Sequence, residues 1–427
     1  MTPIRPLSRD SSGTLLLAGV SLAELAQQVG TPTYAYDLDA MAAGARALRT
    51  GFDGAPHLVA YALKANTAGA VVRALAAEGC GADVVSGAEL LVALACGMAP
   101  ARVVYSGVAK TDQELDHAIA SGIGAVQVES LEEIGRLEAR AKAAGRKARV
   151  SVRINPGIDV RDSTHAHIAT GHKEAKFGVP RDDAAHAVEL VDQSRDLELV
   201  GMTTHVGSQS TDTAPYVAAA RVLFKLVREL RDAGHARSLV FVDTGGGFGI
   251  DYREGRSTLP ADFIRAVRAV QRDHRLDDLA LYVEPGRSLV APHGVLLAGV
   301  IQAKVASAGR WLMIDAGMND LVRPALYQAR HRIVPVNGEL ETREWVTWRV
   351  VGPVCESSDD FGEHRLPVAP PHVVAILDAG AYGYTMASRY NGRQLPAEAF
   401  VRGGSVVGRT QRVSAQEWAD ERARAGT

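Results

Sequence analysis

Between about residue 38 and residue 290, short apolar runs rich in β-formers alternate with longer amphipathic stretches. The apolar runs fall at 58–62, 82–85, 103–106, 125–129, 149–154, 199–205, 239–243 and 281–284. The stretches between them, such as 88–96, 131–144 and 216–233, are rich in Ala, Leu and Arg and repeat with helical period. Eight strands alternating with helices predict a parallel sheet closed into a (β/α)8 barrel. A doubly wound open sheet has the same periodicity and is the alternative.

Past residue 290 the texture changes. Runs at 295–303, 311–314, 345–351 and 373–377 read as strands, separated by Pro, Gly and short polar clusters with little helical pattern. Residues 32–36 also alternate like a strand. The pattern predicts two domains: a barrel over 38–290, and a mostly β domain made of 1–37 together with 291–427. Two connections, 155–180 and 319–332, are longer than loops usually are, and long loops in compact domains often carry function.

Composition narrows the class. The chain has 427 residues, 47% hydrophobic and 22% charged, with net charge −2 and a pI near 6.7. That balance gives no field for nucleic acid or an anionic membrane. No apolar run reaches the roughly 18 residues of a membrane span, and residues 1–10 lack the apolar core of a signal peptide. Cys80, Cys96 and Cys355 are too few and scattered for a disulfide framework, so a reducing, cytoplasmic setting is expected.

Candidate chemistry clusters where a barrel would put it, at the C-terminal ends of strands. Tyr61-Ala62-Leu63-Lys64-Ala65-Asn66 places a lysine at the end of the first strand. A buried ammonium is costly unless paired, and an amine there suits a Schiff base with an aldehyde. Ser86 follows the second strand, and His205 ends the sixth. Asp243-Thr244-Gly245-Gly246-Gly247-Phe248-Gly249 follows the seventh, where backbone N–H groups can gather on a phosphate. A tight turn is the plainer reading of that glycine run. Glu284-Pro285-Gly286-Arg287 closes the eighth strand with a carboxylate able to pair with a pyridine nitrogen and an arginine able to clamp a carboxylate. His165, His167 and His172 lack the nearby carboxylate or cysteine of a metal site, so no metal is expected and the segment reads as a loop over the site. In the second domain, Cys355 beside Glu356 offers a thiol proton donor or simply a small buried residue. Arg323 offers a second carboxylate ligand or a solvated loop arginine.

These segments together resemble the fold-type III pyridoxal-phosphate decarboxylases, and within them the diaminopimelate-cleaving branch. The likeness is carried by Tyr61 to Asn66, by Asp83-Val84-Val85-Ser86-Gly87-Ala88-Glu89, by His167-Ile168-Ala169-Thr170-Gly171 and by Lys176-Phe177-Gly178. It continues through His205 to Gln209, Gly245 to Gly249, Glu284 to Arg287, Asp315 to Asp320, Arg323 to Tyr327, Cys355 to Ser357 and Ala381 to Asn391. One segment departs from it. After Tyr390-Asn391 a Ser-Arg-Pro-Arg-Pro-like run is expected, and Gly392-Arg393-Gln394-Leu395-Pro396 stands there instead.

The resemblance implies an alanine racemase-like fold and pyridoxal 5'-phosphate as cofactor. It implies that Lys64 bonds the cofactor aldehyde, His205 stacks on its ring, and Glu284 pairs with the ring nitrogen with Asp83 nearby. Ser208, Gly246, Gly247, Gly286, Arg287 and Tyr382 would hold the phosphate. Arg287, Arg323, Tyr327 and Tyr382 would bind substrate, Glu356 its amine, and Cys355 would donate the proton. A homodimer with shared sites is implied, the residues matching Cys355 and Glu356 coming from the partner subunit. The implied reaction is decarboxylation of meso-diaminopimelate to L-lysine, the step that supplies lysine. Related substrates are ornithine, arginine, carboxynorspermidine or a carrier-linked amino acid. An amino-acid racemase on the same barrel would put an arginine where Glu284 stands. A cofactor-free binding relative would not need Lys64, Glu284 and Cys355 together.

Overall fold

The computed structural model describes residues 7–159, 170–172, 174–252, 258–337 and 344–425. They form two compact units. One comprises Ala42–Asp251 and Arg256–Ser288; the other comprises Met1–Met41, Tyr252–Gly255 and Leu289–Thr427.

The first unit is a closed parallel barrel. Its strands are His57–Ala62, Gly81–Val84, Val103–Tyr105, Ala125–Val128, Ala148–Asn155, Leu197–Thr204, Phe241–Asp243 and Ala280–Val283. Each pairs in parallel with the next, and the ring closes where Leu281 lies opposite His57. Closure excludes the open doubly wound sheet. The helices between strands are amphipathic and capped. Thr111 and Glu114 form a reciprocal capping box on Asp112–Ser121, and Ser130 accepts from Glu133 N at the start of Leu131–Ala144. Ser86 does the same for Gly87–Ala95, which gives it a structural rather than a chemical task.

The barrel interior changes character along its length. Leu58, Ala60, Val104, Ala125, Val200 and Phe241 form one buried cluster with Tyr282 against it. The rings of Phe241 and Tyr282 stack at 4.0 Å between centroids. With a strand period of two, the next residue on the same face is Ser106 after Val104, Gln127 after Ala125, Asp243 after Phe241 and Glu284 after Tyr282. All four are buried. The C-terminal half of the interior is therefore polar, and a polar interior must be justified by its hydrogen bonds.

The second unit is mostly β. Its hub is the long strand Gly294–Ala306, antiparallel to Gly309–Ile314, Val373–Ile376 and Thr33–Asp37. Trp345–Val351 and Asp360–Pro367 extend the sheet on one side, and Ala397–Arg402 and Ser405–Arg409 on the other. Leu15, Leu17, Leu22, Ala35, Val295, Leu297, Ala375 and Val401 are among the residues that fill its core. The strand Thr33–Asp37 thus joins this sheet, as its alternation suggests.

Candidate active site

Lys64 lies in a single 3-10 turn, Leu63–Ala65, directly after the first barrel strand. The expectation of a buried ammonium needs correction: the lysine side chain keeps 38% of its exposure, and its partner Asp83 is buried at 0%. Nζ donates to Asp83 Oδ2 at 2.9 Å, while Oδ1 is buried without a hydrogen-bond partner. An amine that is tethered to a buried carboxylate and still reachable is well placed to attack a carbonyl.

Across the barrel two carboxyls meet. Gln127 Nε2 donates to Glu284 Oε1 at 2.8 Å and to Asp243 Oδ2 at 3.3 Å. Ser106 Oγ donates to Gln127 Oε1 at 3.0 Å, leaving the amide N–H end toward the acids. Asp243 Oδ1 accepts from Gly245 N at 2.8 Å. Burial, helped by Asp83 and opposed by hydrogen bonds from Gly245 N and Glu284 and by Arg153, pushes Asp243 up to about 7. Burial pushes Glu284 well above the usual carboxylate range, helped by Asp243 and Asp83 and opposed by Lys64. Two buried carboxyls this close cannot both ionise without a cation to balance them. Sequence reading missed Gln127 and Ser106. The signal was there, in polar residues on the inward parity of two otherwise apolar strands.

The glycine turn is built against this pair. A Cβ on Gly246 would lie 1.9 Å from the Glu284 carbonyl oxygen, and one on Gly247 would lie 2.1 Å from the Gly207 carbonyl oxygen. Only glycine lets three backbone segments converge there. Gly246 N donates to His205 Nδ1 at 3.2 Å, so Nδ1 is the acceptor of that ring. Burial, with Arg153 and Lys64 nearby, holds His205 well below the ordinary imidazole range, and its ring is neutral. Arg287 Nη2 donates to Ser208 Oγ at 3.0 Å. Gly286 precedes Arg287, whose short helix runs to Val290. Lys64, Asp83, His205, Ser208, Gly246, Gly247, Glu284, Gly286 and Arg287 all belong to the barrel unit.

Part of the long loop after the fifth strand frames the same unit. Asn155 Nδ2 donates to the carbonyls of His172 at 3.0 Å and Phe177 at 3.1 Å. The Arg153 guanidinium lies 5.0 Å from the Phe177 ring, and its Nη1 donates to Glu129 Oε1 at 2.9 Å. His165, His167, Ile168 and Ala169 lie outside the described residues.

The remaining expected residues, Arg323, Tyr327, Cys355, Glu356 and Tyr382, belong to the second unit. Arg323 begins the short helix Arg323–Tyr327 and is buried at 4%, unlike a solvated loop arginine. Its Nη1 donates to His331 Nε2 at 2.8 Å; His331 Nδ1 in turn donates to the Leu377 carbonyl at 2.8 Å, which fixes that tautomer. The guanidinium also lies 4.5 Å from the Tyr252 ring. Tyr327 is half-buried at the end of the same helix. Tyr382 is half-buried in a left-handed backbone conformation, φ 53°, unusual for a bulky residue.

Cys355 is exposed, which removes the reading of a small buried hydrophobe. Its backbone N donates to Asn391 Oδ1 at 2.9 Å. Glu356 accepts from Tyr390 Oη at 2.5 Å and Ser358 Oγ at 2.9 Å, and these donors hold its carboxyl below the ordinary range. Beneath, the buried Asp359 accepts from Val354 N and Met318 N, both at 2.6 Å, pinning the loop from inside. In the segment that departs from the family pattern, Arg393 Nη2 donates to the Pro353 carbonyl at 3.2 Å. The substituted run thus still supports the loop that carries Cys355.

Residues 38–291 match the family model described as the pyridoxal-dependent decarboxylase, pyridoxal binding domain. The diaminopimelate decarboxylase of Zymomonas mobilis is 42% identical over 398 residues, covering 92% of each chain. The crystal structure of diaminopimelate decarboxylase from Helicobacter pylori complexed with L-lysine superposes with a TM-score of 0.87 at 37% identity, covering 94% of this chain and 99% of that one. The M. jannaschii enzyme in complex with L-lysine gives a TM-score of 0.91 at 33% identity over 99% and 98% of the two chains. On this agreement the chain belongs to the diaminopimelate decarboxylase family of pyridoxal-dependent decarboxylases.

Proposed function

We propose that this protein uses pyridoxal 5'-phosphate to decarboxylate meso-diaminopimelate at its D-configured centre, giving L-lysine and carbon dioxide. The observation that carries the reading is the charge arrangement of the barrel mouth. Lys64 Nζ sits on Asp83 and faces Glu284, while Asp243, buried beside Glu284, faces Arg153, a cation already paired with Glu129. The site is short of a cation, and a protonated pyridine nitrogen is a cation of the right kind. The orphaned Asp83 Oδ1 and the glycine turn, with backbone approaches no side chain would allow, fit the same group.

When bound, the cofactor supplies an aldehyde that condenses with amines and a cationic ring that takes up the electron pair released as carbon dioxide leaves. Lys64 would provide the amine that holds the aldehyde, with Asp83 orienting its Nζ. Glu284 would pair with the ring nitrogen. His205, neutral, would face a cationic ring without repulsion. Ser208, Gly246, Gly247, Gly286, Arg287 and Tyr382 would hold the phosphate. Arg287, Arg323, Tyr327 and Tyr382 fix the substrate, and a second arginine site favours a substrate with two carboxylates. Glu356, kept ionised by Tyr390 and Ser358, receives the distal ammonium. Cys355 Sγ holds the proton delivered to the carbon that lost its carboxylate.

The protein works as a homodimer in the cytoplasm on this reading, with Cys355 and Glu356 of one copy serving Lys64 of the other. Their exposure on the second unit supports it, since a thiol and carboxylate that act on substrate need a surface to close over them. The absence, among the described residues, of any helix long and apolar enough to cross a membrane is in keeping with that setting.

The test is carbon dioxide release from meso-diaminopimelate, ornithine, arginine and lysine, together with absorbance of the protein incubated with pyridoxal phosphate. Release from meso-diaminopimelate alone is expected, with a visible band that Lys64→Ala abolishes. Failure of wild type to develop the band removes the cofactor assignment. Equal turnover of ornithine removes the diacid.

A further inference from the structure

The four inward-facing polar residues of the barrel, Ser106, Gln127, Asp243 and Glu284, are joined in one chain of hydrogen bonds, and only the last has a role so far. The chain runs from Ser106 Oγ to Gln127 Oε1 at 3.0 Å. It then forks from Gln127 Nε2 to Glu284 Oε1 at 2.8 Å and Asp243 Oδ2 at 3.3 Å. Exposures are 4% for Ser106, 1% for Gln127, 0% for Asp243 and 7% for Glu284. A single amide holding two buried carboxyls is an arrangement that apolar packing does not need. Leaving any of its members unpaired is costly.

We propose that Gln127, held in register by Ser106, is a positioning residue that makes Asp243 and Glu284 a one-proton unit, in which the shared proton passes to Asp243 when a cation stands opposite Glu284. This rests on the cofactor assignment above. One pyridinium balances one carboxylate, so the second must keep its proton in so dry a place. The shorter donation from Gln127 favours the charge on Glu284 over Asp243. Asp243 Oδ1 is already occupied by Gly245 N, leaving Oδ2, on the Glu284 side, to carry the proton. The other charged groups facing the pair are Lys64 and Asp83 toward Glu284, and Asp83 and Arg153 toward Asp243. Tyr216 also lies within electrostatic reach of both carboxyls, and Tyr282 within reach of Asp243. Because Asp243 Oδ1 holds the glycine turn, the same unit couples the ring's charge to the turn assigned to the phosphate.

The experiment follows the NMR shift of the ring nitrogen in full-length holoenzyme loaded with isotopically labelled pyridoxal phosphate, titrated with pH, beside kcat and KM. Gln127→Met is expected to lower the pH at which the ring nitrogen gives up its proton by about one unit, the size of one charge-assisted hydrogen bond. It should also reduce kcat more than it raises KM. Ser106→Ala shifts the midpoint the same way by less, and Ser106→Thr, which keeps the hydroxyl, restores it. Asp243→Asn moves the midpoint less than Gln127→Met, because an amide replaces an acid that was already neutral and leaves the donation from Gln127 to Glu284 in place. A larger shift in Asp243→Asn would show that Asp243 works as an anion and would overturn the proposal. So would an unmoved nitrogen in Gln127→Met, or, if that variant does not fold, an unmoved nitrogen in Ser106→Ala. A wild type that binds no labelled cofactor would instead defeat the cofactor assignment itself.

Discussion

Charge placement in this protein is decided residue by residue, through what each buried acid touches. Glu284 and Asp243 are raised by burial together and relieved by an amide, a backbone N–H and the charges of Lys64 and Arg153. Glu356, on the surface, is held below the ordinary range by two hydroxyl donors. Glu398 shows the same physics away from the chemistry. It is 4% exposed and accepts from Tyr36 Oη at 3.0 Å, and burial pushes its pKa from 4.5 up to about 7. The folded state therefore keeps a proton that the unfolded chain releases. Stability from this group is fully present below about pH 4.5 and is lost as pH rises through about 7. Glu398→Gln keeps the acceptor for Tyr36 and cannot ionise. Its stability relative to wild type should rise by about 2–3 kcal/mol between pH 5 and pH 8, measured by urea unfolding at each pH. A difference that stays flat with pH would mean Glu398 titrates alike in both states.

Elements bring these residues together, and the glycine turn after the seventh strand is the element on which most depends. Its fit to the Glu284 and Gly207 carbonyls leaves no room for a methyl group at Gly246 or Gly247. Gly246→Ala should force the turn away from the eighth strand, costing about 1–3 kcal/mol of stability. It should weaken pyridoxal phosphate binding at least ~10-fold, which is about 1.4 kcal/mol. Thermal melting and cofactor titration check both; wild-type cofactor affinity would mean the turn does not cradle phosphate. The elements of the barrel were legible in the sequence because buried parallel strands announce themselves as apolar runs and capped helices as periodic ones. Residues 131–144 read as a helix and are one. The strands Asp360–Pro367 and Ser405–Arg409 were not legible. They carry charges and glycines and leave most side chains half or fully exposed, so hydrophobic pattern says little about them. Lys64, His205, Glu284 and the glycine turn stood out as reactive types at strand ends. Gln127 did not, because an amide becomes informative only once the barrel places its two carboxylate partners, 116 and 157 residues away, within reach.

On the scale of the whole molecule, the residues proposed for the chemistry fall in two compact units: Lys64, Glu284 and the glycine turn in one, Arg323, Cys355 and Glu356 in the other. On the proposed function, a second copy supplies Cys355 and Glu356. In a symmetric dimer every interface contact is made twice, so two copies that exchange Cys355 and Glu356 generate two equivalent sites. Mixing defective subunits tests this. Lys64→Ala and Cys355→Ala are each expected to be nearly inactive alone. After unfolding, mixing in equal amounts and refolding, half of the dimers should contain one chain of each kind. In such a dimer the intact Lys64 and the intact Cys355 lie on different chains and meet in one of the two sites, while the other site lacks both. Activity should therefore recover to about one quarter of the wild-type value, measured as carbon dioxide release with the cofactor in excess. No recovery, in a sample where tagged chains are shown to have exchanged, would place Lys64 and Cys355 of a single chain in the same site and remove the shared-site dimer.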